Sequence, residues 1–524
     1  MVTHAAVPQG AVVTRALSRA VVLTALGLLA LAGLSLLVRT QRLGVGFWID
    51  EGLSVGIADR PLTDIPGVLR LDGSPPLYYM VLNLWLQVAG RTEEATHTLS
   101  LIFALATVPV AFALVRSLFG ERAGWVAAVL AAFNPFLTAY AQETRMYAMV
   151  ALLGTVTACA FAGAFAFRRG RAWIIAFAVS LAALMYTHNW ALFFGLALGV
   201  AWLVLLATAP RDERRSLGRD GLIAFGGVAL LYAPWVPSLL FQAAHTGAPW
   251  ARAPKLSALA GAPTHLLGET GIFVIALGAG LGIAAALKTR RSAEARAVVA
   301  LLAVGLGTIV IAWTSSQAEP AWATRYLAVA LAPLFVALAV GLARAKGAGL
   351  VALGLVAAIW ANDAGPKQKS NVREVAGWLA PTLRPGDLVI STQPEQAPVL
   401  AYYLDGEVEG LRWASITGPL TDLGVTDWRD GPERLGATSP ERDLGPLADR
   451  VAPGQRIALV EPRIASVERW SAPWTRLVRL RSSAWRDRMQ QDPRFRVVAS
   501  RPAEDDEPGP NPVKATVFLR IPMR

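Results

Sequence analysis

The sequence predicts a mainly α, polytopic membrane protein that carries a small α/β domain at its carboxyl end. Three observations carry this reading. Of 524 residues 54% are apolar and 16% charged, where a soluble domain holds about 25% charged residues. Eleven apolar runs of near-spanning length precede residue 362. Beyond it the apolar runs shorten, and strand-like and helix-like patterns alternate between Pro/Gly turns such as Pro385-Gly386.

The net charge of +12 is unevenly placed. Residues 1–362 hold 26 Lys and Arg against 15 Asp and Glu, and the remainder 23 against 22. The basic excess therefore belongs to the apolar part, where cationic loops orient a membrane protein. No basic tail with interleaved aromatics is present, which argues against nucleic acid as a partner. The single cysteine, Cys159, lies inside an apolar run. It permits no intrachain disulfide and no zinc-type cluster.

Arg15 and Arg19 precede the run 20–38. No small-residue cleavage signal precedes Arg39, so the run is expected to be a first transmembrane helix, amino end inside, rather than a cleaved signal. Further runs lie near 98–116, 123–140, 147–167, 172–187, 190–208, 221–240, 268–287, 297–314, 325–343 and 347–361. Loops rich in arginine (Arg168, Arg169 and Arg171; Arg211, Arg214, Arg215 and Arg219; Lys288, Arg290, Arg291 and Arg296) alternate with cation-poor ones at 140–146, 187–190, 241–267 and 315–324. This is the positive-inside pattern. Counting 75–89 as a span would reverse it, so that stretch is expected to be a short helix in or on the outer face, within a long loop 39–97. About 11 spans follow, and the carboxyl-terminal domain emerges on the extracytoplasmic side. The chain divides into 1–362, a transmembrane module, and 363–524, a soluble α/β domain. In the latter, helices are expected at 372–379 and 396–404 and strands at 387–391, 456–460, 495–499 and 514–521. The stretch 416–455 reads as loop-rich and 503–512 as a polar connection.

With this topology a set of ionisable residues falls on one face. Asp50 and Glu51 follow the first span; Glu143, Arg145 and Tyr147 stand at the second outer turn, His188 at the third, and Arg325 with Tyr326 at the fifth. Acids at a membrane boundary are costly and usually have a task there. Adjacent residues on a helix point about 100° apart, so one carboxylate is expected to face a cavity while the other holds backbone or a cation. A partly desolvated carboxylate suits a general base, and the candidate is Asp50, with Glu51 as a further catalytic candidate; otherwise the two are a solvated loop pair or a helix cap. Glu143 and Arg145 either ion-pair at the interface or serve the site, Arg145 gripping a phosphate through its planar fork and Glu143 positioning an acceptor or helping to bind a metal. Arg325 is either a snorkelling anchor or a second phosphate ligand. His188 is either a satisfied interfacial residue or a ligand.

Asp50-Glu51, Ser74-Pro75-Pro76-Leu77-Tyr78-Tyr79 and Gln142-Glu143-Thr144-Arg145-Met146-Tyr147, in that order and followed by Arg325-Tyr326, resemble the bacterial glycosyltransferase family 39 (PMT-like) enzymes of the GT-C superfamily. Relatives of that family are the protein O-mannosyltransferases and the lipid A aminoarabinose transferases. The resemblance covers about 1–360. It implies a polyprenyl-phosphate-linked sugar donor, inversion at the anomeric carbon on the extracytoplasmic face, Asp50 as base, and Glu143 as second acidic position. It also implies Arg145 and Arg325 as ligands of the lipid phosphate. The chain departs from the family pattern at Thr96-His97-Thr98, where an arginine is common, and at Ser74, where Lys or His often stands.

The resulting expectation is a multi-pass glycosyltransferase of the cell membrane, acting on a glycan, lipid or protein acceptor among membrane lipids. A divalent cation would be a possible aid to the leaving phosphate. The alternative is a transporter or flippase of a lipid-linked sugar; a weaker one is a scaffold displaying the soluble domain. A transporter would place ionisable groups near mid-membrane, whereas here they gather at one face.

Overall fold

In the computed structural model, which describes residues 9–288, 292–363, 365, 368–463, 470–502 and 512–522, the apolar runs form helices. They are α1 (Gln9–Arg39), α2 (Ile49–Ala58), α3 (Ile65–Asp72), α4 (Leu77–Ala89), α5 (Glu93–Phe119), α6 (Glu121–Phe133), α7 (Pro135–Tyr140), α8 (Tyr147–Phe161) and α9 (Arg171–Met185). There follow α10 (Ala191–Thr208), α11 (Arg211–Tyr232), α12 (Val236–His245), α13 (Leu256–Leu267), α14 (Gly271–Leu287), α15 (Ala293–Ala318), α16 (Ala328–Arg344) and α17 (Lys346–Trp360). Among the described residues seven helical stretches are long and apolar enough to cross a membrane: Arg19–Arg39, Glu93–Phe119, Tyr147–Ala166, Ala191–Thr208, Arg211–His245, Ala293–Ala318 and Thr324–Arg344. The pair α13 and α14, bent by 85°, adds an eighth if taken as one span. The expected runs near 123–140, 172–187 and 347–361 contain helices of 13 to 15 residues. At 1.5 Å per residue these fall short of a ~30 Å hydrocarbon layer. Length alone therefore supports seven or eight of the eleven expected spans.

Two features fix the entry to the outer loop. Arg39, fully buried at the end of α1, donates to the carbonyls of Ala104 on α5 (3.2 Å) and Ala131 on α6 (2.6 Å). It so satisfies carbonyls of two helices while ending the first. The stretch 75–89 forms the 13-residue α4, as its length predicts. Leu77 N donates to the Tyr186 carbonyl at 2.9 Å, and Tyr78 and Tyr79 point inward, fully buried. Gly73, at φ 101°, closes α3 in the left-handed region that a side chain would disfavour.

The carboxyl-terminal region contains α18 (Val372–Leu379), β1 (Leu388–Ser391), α19 (Ala397–Leu404), β2 (Arg412–Ser415), β3 (Gly418–Pro419), α20 (Gly431–Gly436), α21 (Gly445–Asp449), β4 (Arg456–Pro462), α22 (Pro473–Gln491), β5 (Phe495–Arg501) and β6 (Val513–Arg520). The strands form one sheet in the order β3-β2-β1-β4-β6-β5. β1 pairs in parallel with β2 and β4, with Leu388 opposite Arg412 and Ile457; β6 runs antiparallel to β4 and β5. All four residues of β1 are buried, as a strand covered on both faces requires. Leu388, Ile390, Ile457 and Leu459 pack with Trp474, Val478 and Trp485 of α22. Val389, Ala458 and Val460 pack on the other face with Val375 of α18 and Leu400 of α19. Phe47 and Val55, from the loop after the first span, are buried in that same cluster.

The expected strands and both expected helices of this region are present. The sequence reading did not identify β2 or α22, and the stretch 416–455, read as loop-rich, holds β3, α20 and α21. In α22 the inward residues Trp474, Val478, Ser482, Trp485 and Met489 recur at helical spacing, but five arginines between them mask the stripe. The connection expected at 503–512 lies, apart from residue 512, outside the described residues, as do Arg290 and Arg291.

Gly52 is where α2 meets α19. A Cβ there would lie 2.5 Å from Val399 Cβ and 2.6 Å from Val399 Cα. We expect Gly52→Ala to cost about 1–3 kcal/mol through overpacking, read as a lowered Tm in lipid. Gly67→Ala, in α3 with open space around it, should leave Tm unchanged or raise it.

Candidate active site

The chain leaves α1 and turns into α2 at Trp48, whose backbone is extended (φ −108°). Asp50 and Glu51 fill the first turn of α2, where negative charge is favoured by the unpaired N–H groups. Glu51 Oε2 accepts from Trp48 N at 3.3 Å, a helix-start bond reaching back three residues. At the other end, Asn83 of α4 donates to the carbonyls of Ala58 (2.8 Å) and Arg60 (2.9 Å). The helix is thus held at both ends by the outer loop itself.

The two carboxylates diverge as helix geometry dictates. Glu51 is fully buried, and its Oε1 gathers His97 Nε2 (2.6 Å), Lys369 Nζ (2.7 Å) and Thr144 N (2.8 Å). His97 Nδ1 faces the Leu43 carbonyl at 2.6 Å. His97 Nε2 also lies 3.3 Å from Lys369 Nζ, so both ring nitrogens are engaged. Lys369 also donates to the Gln142 carbonyl at 2.8 Å. Burial by itself would raise the Glu51 carboxyl; the Lys369 ammonium and then the His97 ring overcome it and hold the group down at about 2. Glu51, a catalytic candidate by sequence, is therefore placed in a buried ion-pair network. His97 and Lys369 were not among the sequence candidates. His97 had a signal in retrospect: it stands in a departure from the family pattern. Lys369 had none, lying 318 residues from its partner.

Asp50 points the other way, into a cluster of guanidiniums. Arg325 Nη2 lies 3.3 Å from Asp50 Oδ2 and Arg145 Nη2 4.0 Å from it. Arg145 Nη1 donates to the Asp50 carbonyl (3.3 Å), Ser54 Oγ (3.0 Å) and Tyr79 Oη (3.1 Å). The Arg325 guanidinium lies 5.2–5.3 Å from the ring centres of Trp48, Trp250 and Tyr326. Among the described residues neither Arg145 Nε nor Arg325 Nε has a hydrogen-bond partner, although both atoms are buried. Arg325 is thus paired inside the site rather than snorkelling to an interface. Among the described residues Glu143 makes no ion pair with Arg145; its Oε1 accepts from Trp48 Nε1 at 3.3 Å.

Burial, reinforced by the charge of Glu51, pushes the Glu143 carboxyl up to about 7. His188 is buried, its Nδ1 accepts from Trp190 N (3.1 Å), and burial followed by Arg145 and Arg325 lowers it to about 3. It therefore offers an uncharged Nε2–H rather than a cation. Its ring packs edge-on to Tyr326 (4.7 Å) and beside Tyr147 (5.9 Å), so the two tyrosines and His188 form one aromatic wall. Asp72 joins the set from the end of α3: burial raises its carboxyl to about 6, against Ser74 and Arg145, which lower it. Sequence reasoning missed Asp72 because a loop acid beside glycine looks like a turn. Among the described residues no three His, Cys, Asp or Glu side chains converge as metal ligands.

A groove of about 520 Å³ lies on the reverse face of α2, lined by Gly52, Val55, Gly56 and Asp59 with Tyr402 and Trp413. Helix periodicity sets these positions opposite Asp50, so the groove is separate from the guanidinium cluster.

These features describe a multi-pass membrane protein whose fold is shared with solved membrane glycosyltransferases. Residues 73–238 match the family model described as dolichyl-phosphate-mannose-protein mannosyltransferase. The structure resembles that of ArnT from Cupriavidus metallidurans in the apo state, at 12% identity and a TM-score of 0.59 over 96% of this chain and 98% of that one. The same protein bound to undecaprenyl phosphate matches at 14% identity and a TM-score of 0.58, over 95% and 97%. The arabinofuranosyltransferase AftD from Mycobacteria matches at 16% identity and a TM-score of 0.53, over 95% of this chain and 40% of that one. No curated protein sequence matches the chain.

The Glu51 network generates a stability test. Because the carboxyl is held below its ordinary value of 4.5, its stabilisation is full above that pH and is lost as pH falls toward about 2. Lys369→Met should destabilise the protein by about 3–5 kcal/mol at neutral pH and shrink this acid-dependent loss. Adding Glu51→Gln to it should recover part of Tm, since an uncharged partner no longer needs the ammonium.

Proposed function

We propose that the protein is an integral-membrane glycosyltransferase that moves a sugar from a polyprenyl-phosphate donor to an acceptor hydroxyl on the extracytoplasmic face, with inversion. The observation that carries this is a pair of guanidiniums, Arg145 buried and Arg325 half-buried, each with an Nε–H that meets no partner among the described residues, flanking the half-buried Asp50 carboxylate. A guanidinium presents a planar fork matched to phosphate oxygens. The alternation of arginine-rich and cation-poor loops supports the outward orientation.

In this reading the donor phosphate takes Arg145 and Arg325, drawing them off Asp50. The freed carboxylate accepts the proton of the acceptor hydroxyl while its oxygen bonds to the anomeric carbon. The bond from that carbon to the phosphate oxygen breaks, its electron pair stays with the phosphate, and the guanidiniums meet the charge that develops there. Attack opposite the leaving group inverts the centre. The wall of Tyr147, His188 and Tyr326 flanks the phosphate end. We place the catalytic module at 1–362 and an extracytoplasmic domain at 363–524. Lys369 and the contact of α19 with Gly52 make the second part necessary for holding α2. The undecaprenyl phosphate bound by ArnT makes that lipid a fitting probe for this chain.

Reconstituted protein offered a panel of undecaprenyl-phosphate sugars should show transfer that Asp50→Asn reduces by about 10²–10⁴ while undecaprenyl phosphate still binds. Undiminished turnover in Asp50→Asn would remove the assignment of the base; movement of donor across the bilayer without transfer would replace the enzyme with a flippase. A pH effect follows from Glu143. With its carboxyl near 7, the group is neutral below that pH and negative above it, beside the anion to be bound. Affinity for an undecaprenyl-phosphate sugar, a diester whose charge is constant in this range, should therefore fall as pH rises from 6 to 8, and Glu143→Gln should flatten that dependence.

A further inference from the structure

Several buried carboxylates lie outside the mechanism, among them Asp387, Glu395, Glu461 and Asp492. Glu395 stands in the turn between β1 and α19 and is 5% exposed. Its Oε1 accepts from Gln393 Nε2 (2.8 Å) and Trp474 Nε1 (2.9 Å), while among the described residues its Oε2 and the Oε1 of Gln393 have no hydrogen-bond partner. Buried acceptor atoms without donors are costly and call for a reason.

The position in the sheet supplies one. From β1 the chain crosses to β2 on one side and later returns to β4 on the other, both parallel to β1. The turn after β1 therefore lies outside the carboxyl ends of the strands at a topological switch point, where open α/β sheets take ligands. This turn packs against α2, the helix that carries Asp50. A second path joins the two sites. Trp474 N donates to the Pro249 carbonyl at 3.1 Å, Trp250 lies under Arg325, and Arg325 pairs with Asp50. The charge of Asp50 reaches Glu395, adding to the upward push of burial on its carboxyl.

The open atoms specify the chemistry of the occupant. Two acceptors require O–H or N–H donors, and the Trp474 indole, whose Nε1–H is already given to Glu395 Oε1, lies beside them. A sugar ring supplies several neighbouring hydroxyls along with C–H faces. A serine or threonine side chain supplies one hydroxyl. Resting on the reading of this protein as a glycosyltransferase, we propose that Glu395 binds the acceptor, taking a hydrogen bond from a hydroxyl of a carbohydrate next to the hydroxyl that Asp50 deprotonates.

The test compares wild type, Glu395→Gln, Glu395→Asp and Gln393→Ala in proteoliposomes, with the donor that supports Asp50-dependent turnover. The probes are methyl hexopyranosides, methyl pentofuranosides, a Ser/Thr hexapeptide, and water, the last read as donor hydrolysis. We expect glycosides to be used, with Glu395→Gln raising their KM about tenfold or more and leaving donor KM and hydrolysis unchanged. The conservative Glu395→Asp should keep part of the acceptor affinity, and Gln393→Ala should act on the same constant. The proposal is overturned if donor and acceptor constants move together, if neither moves, or if the peptide alone is used. A wild type that neither transfers nor hydrolyses any donor removes the glycosyltransferase reading itself, a result distinct from these.

Discussion

One buried oxygen sets the geometry on which the site depends. Glu51 Oε1 is shared by an ammonium, an imidazole and a backbone N–H drawn from three distant parts of the chain. Because Asp50 is the neighbouring residue on the same helical turn, fixing Glu51 on one side of α2 fixes Asp50 on the other. The network is fully buried and each charge within it is met, the condition under which buried ions hold a geometry rather than undermine it. Adjacent carboxylates thus divide the work, one anchoring the helix and the other facing the Arg145 and Arg325 guanidiniums.

The second constraint is the state of the arginines. Arg145 is tied to Ser54, Tyr79 and the Asp50 carbonyl, so its position belongs to α2 and α4 as much as to its own turn. Arg325 is held chiefly by aromatic faces and by Asp50. Aromatic faces stabilise a cation without consuming its N–H groups. The arrangement keeps a charged, preorganised fork half-buried while leaving part of its hydrogen-bonding capacity open. The α/β region completes the arrangement: Phe47 and Val55 are buried in its core, and Lys369 comes from the segment leading into it.

Much of this was legible in the sequence. The apolar runs, the alternation of cationic loops and the boundary acids at Asp50 and Glu51 gave the membrane character and one face for the site. Arg145, Glu143, Arg325 and His188 do converge there. The span count was less legible, because broken and short helices such as α6, α9 and α17 carry enough apolar residues to look like spans without their length. Lys369, Asp72 and Glu395 left no trace, since a polar residue in a loop is ordinary until the fold buries it. The helix α22 was hidden by arginines on its solvent face, and β2 and β3 were too short to show a period.

In the proposed mechanism a lipid phosphate and Asp50 compete for the same two guanidiniums. A cryo-EM structure of the protein in nanodiscs with undecaprenyl phosphate would show the phosphate seated on Arg145 and Arg325, the contact between Arg325 and Asp50 opened, and Glu51 still bound to His97 and Lys369. A phosphate seated elsewhere, with the Arg325–Asp50 pair intact, would contradict that mechanism.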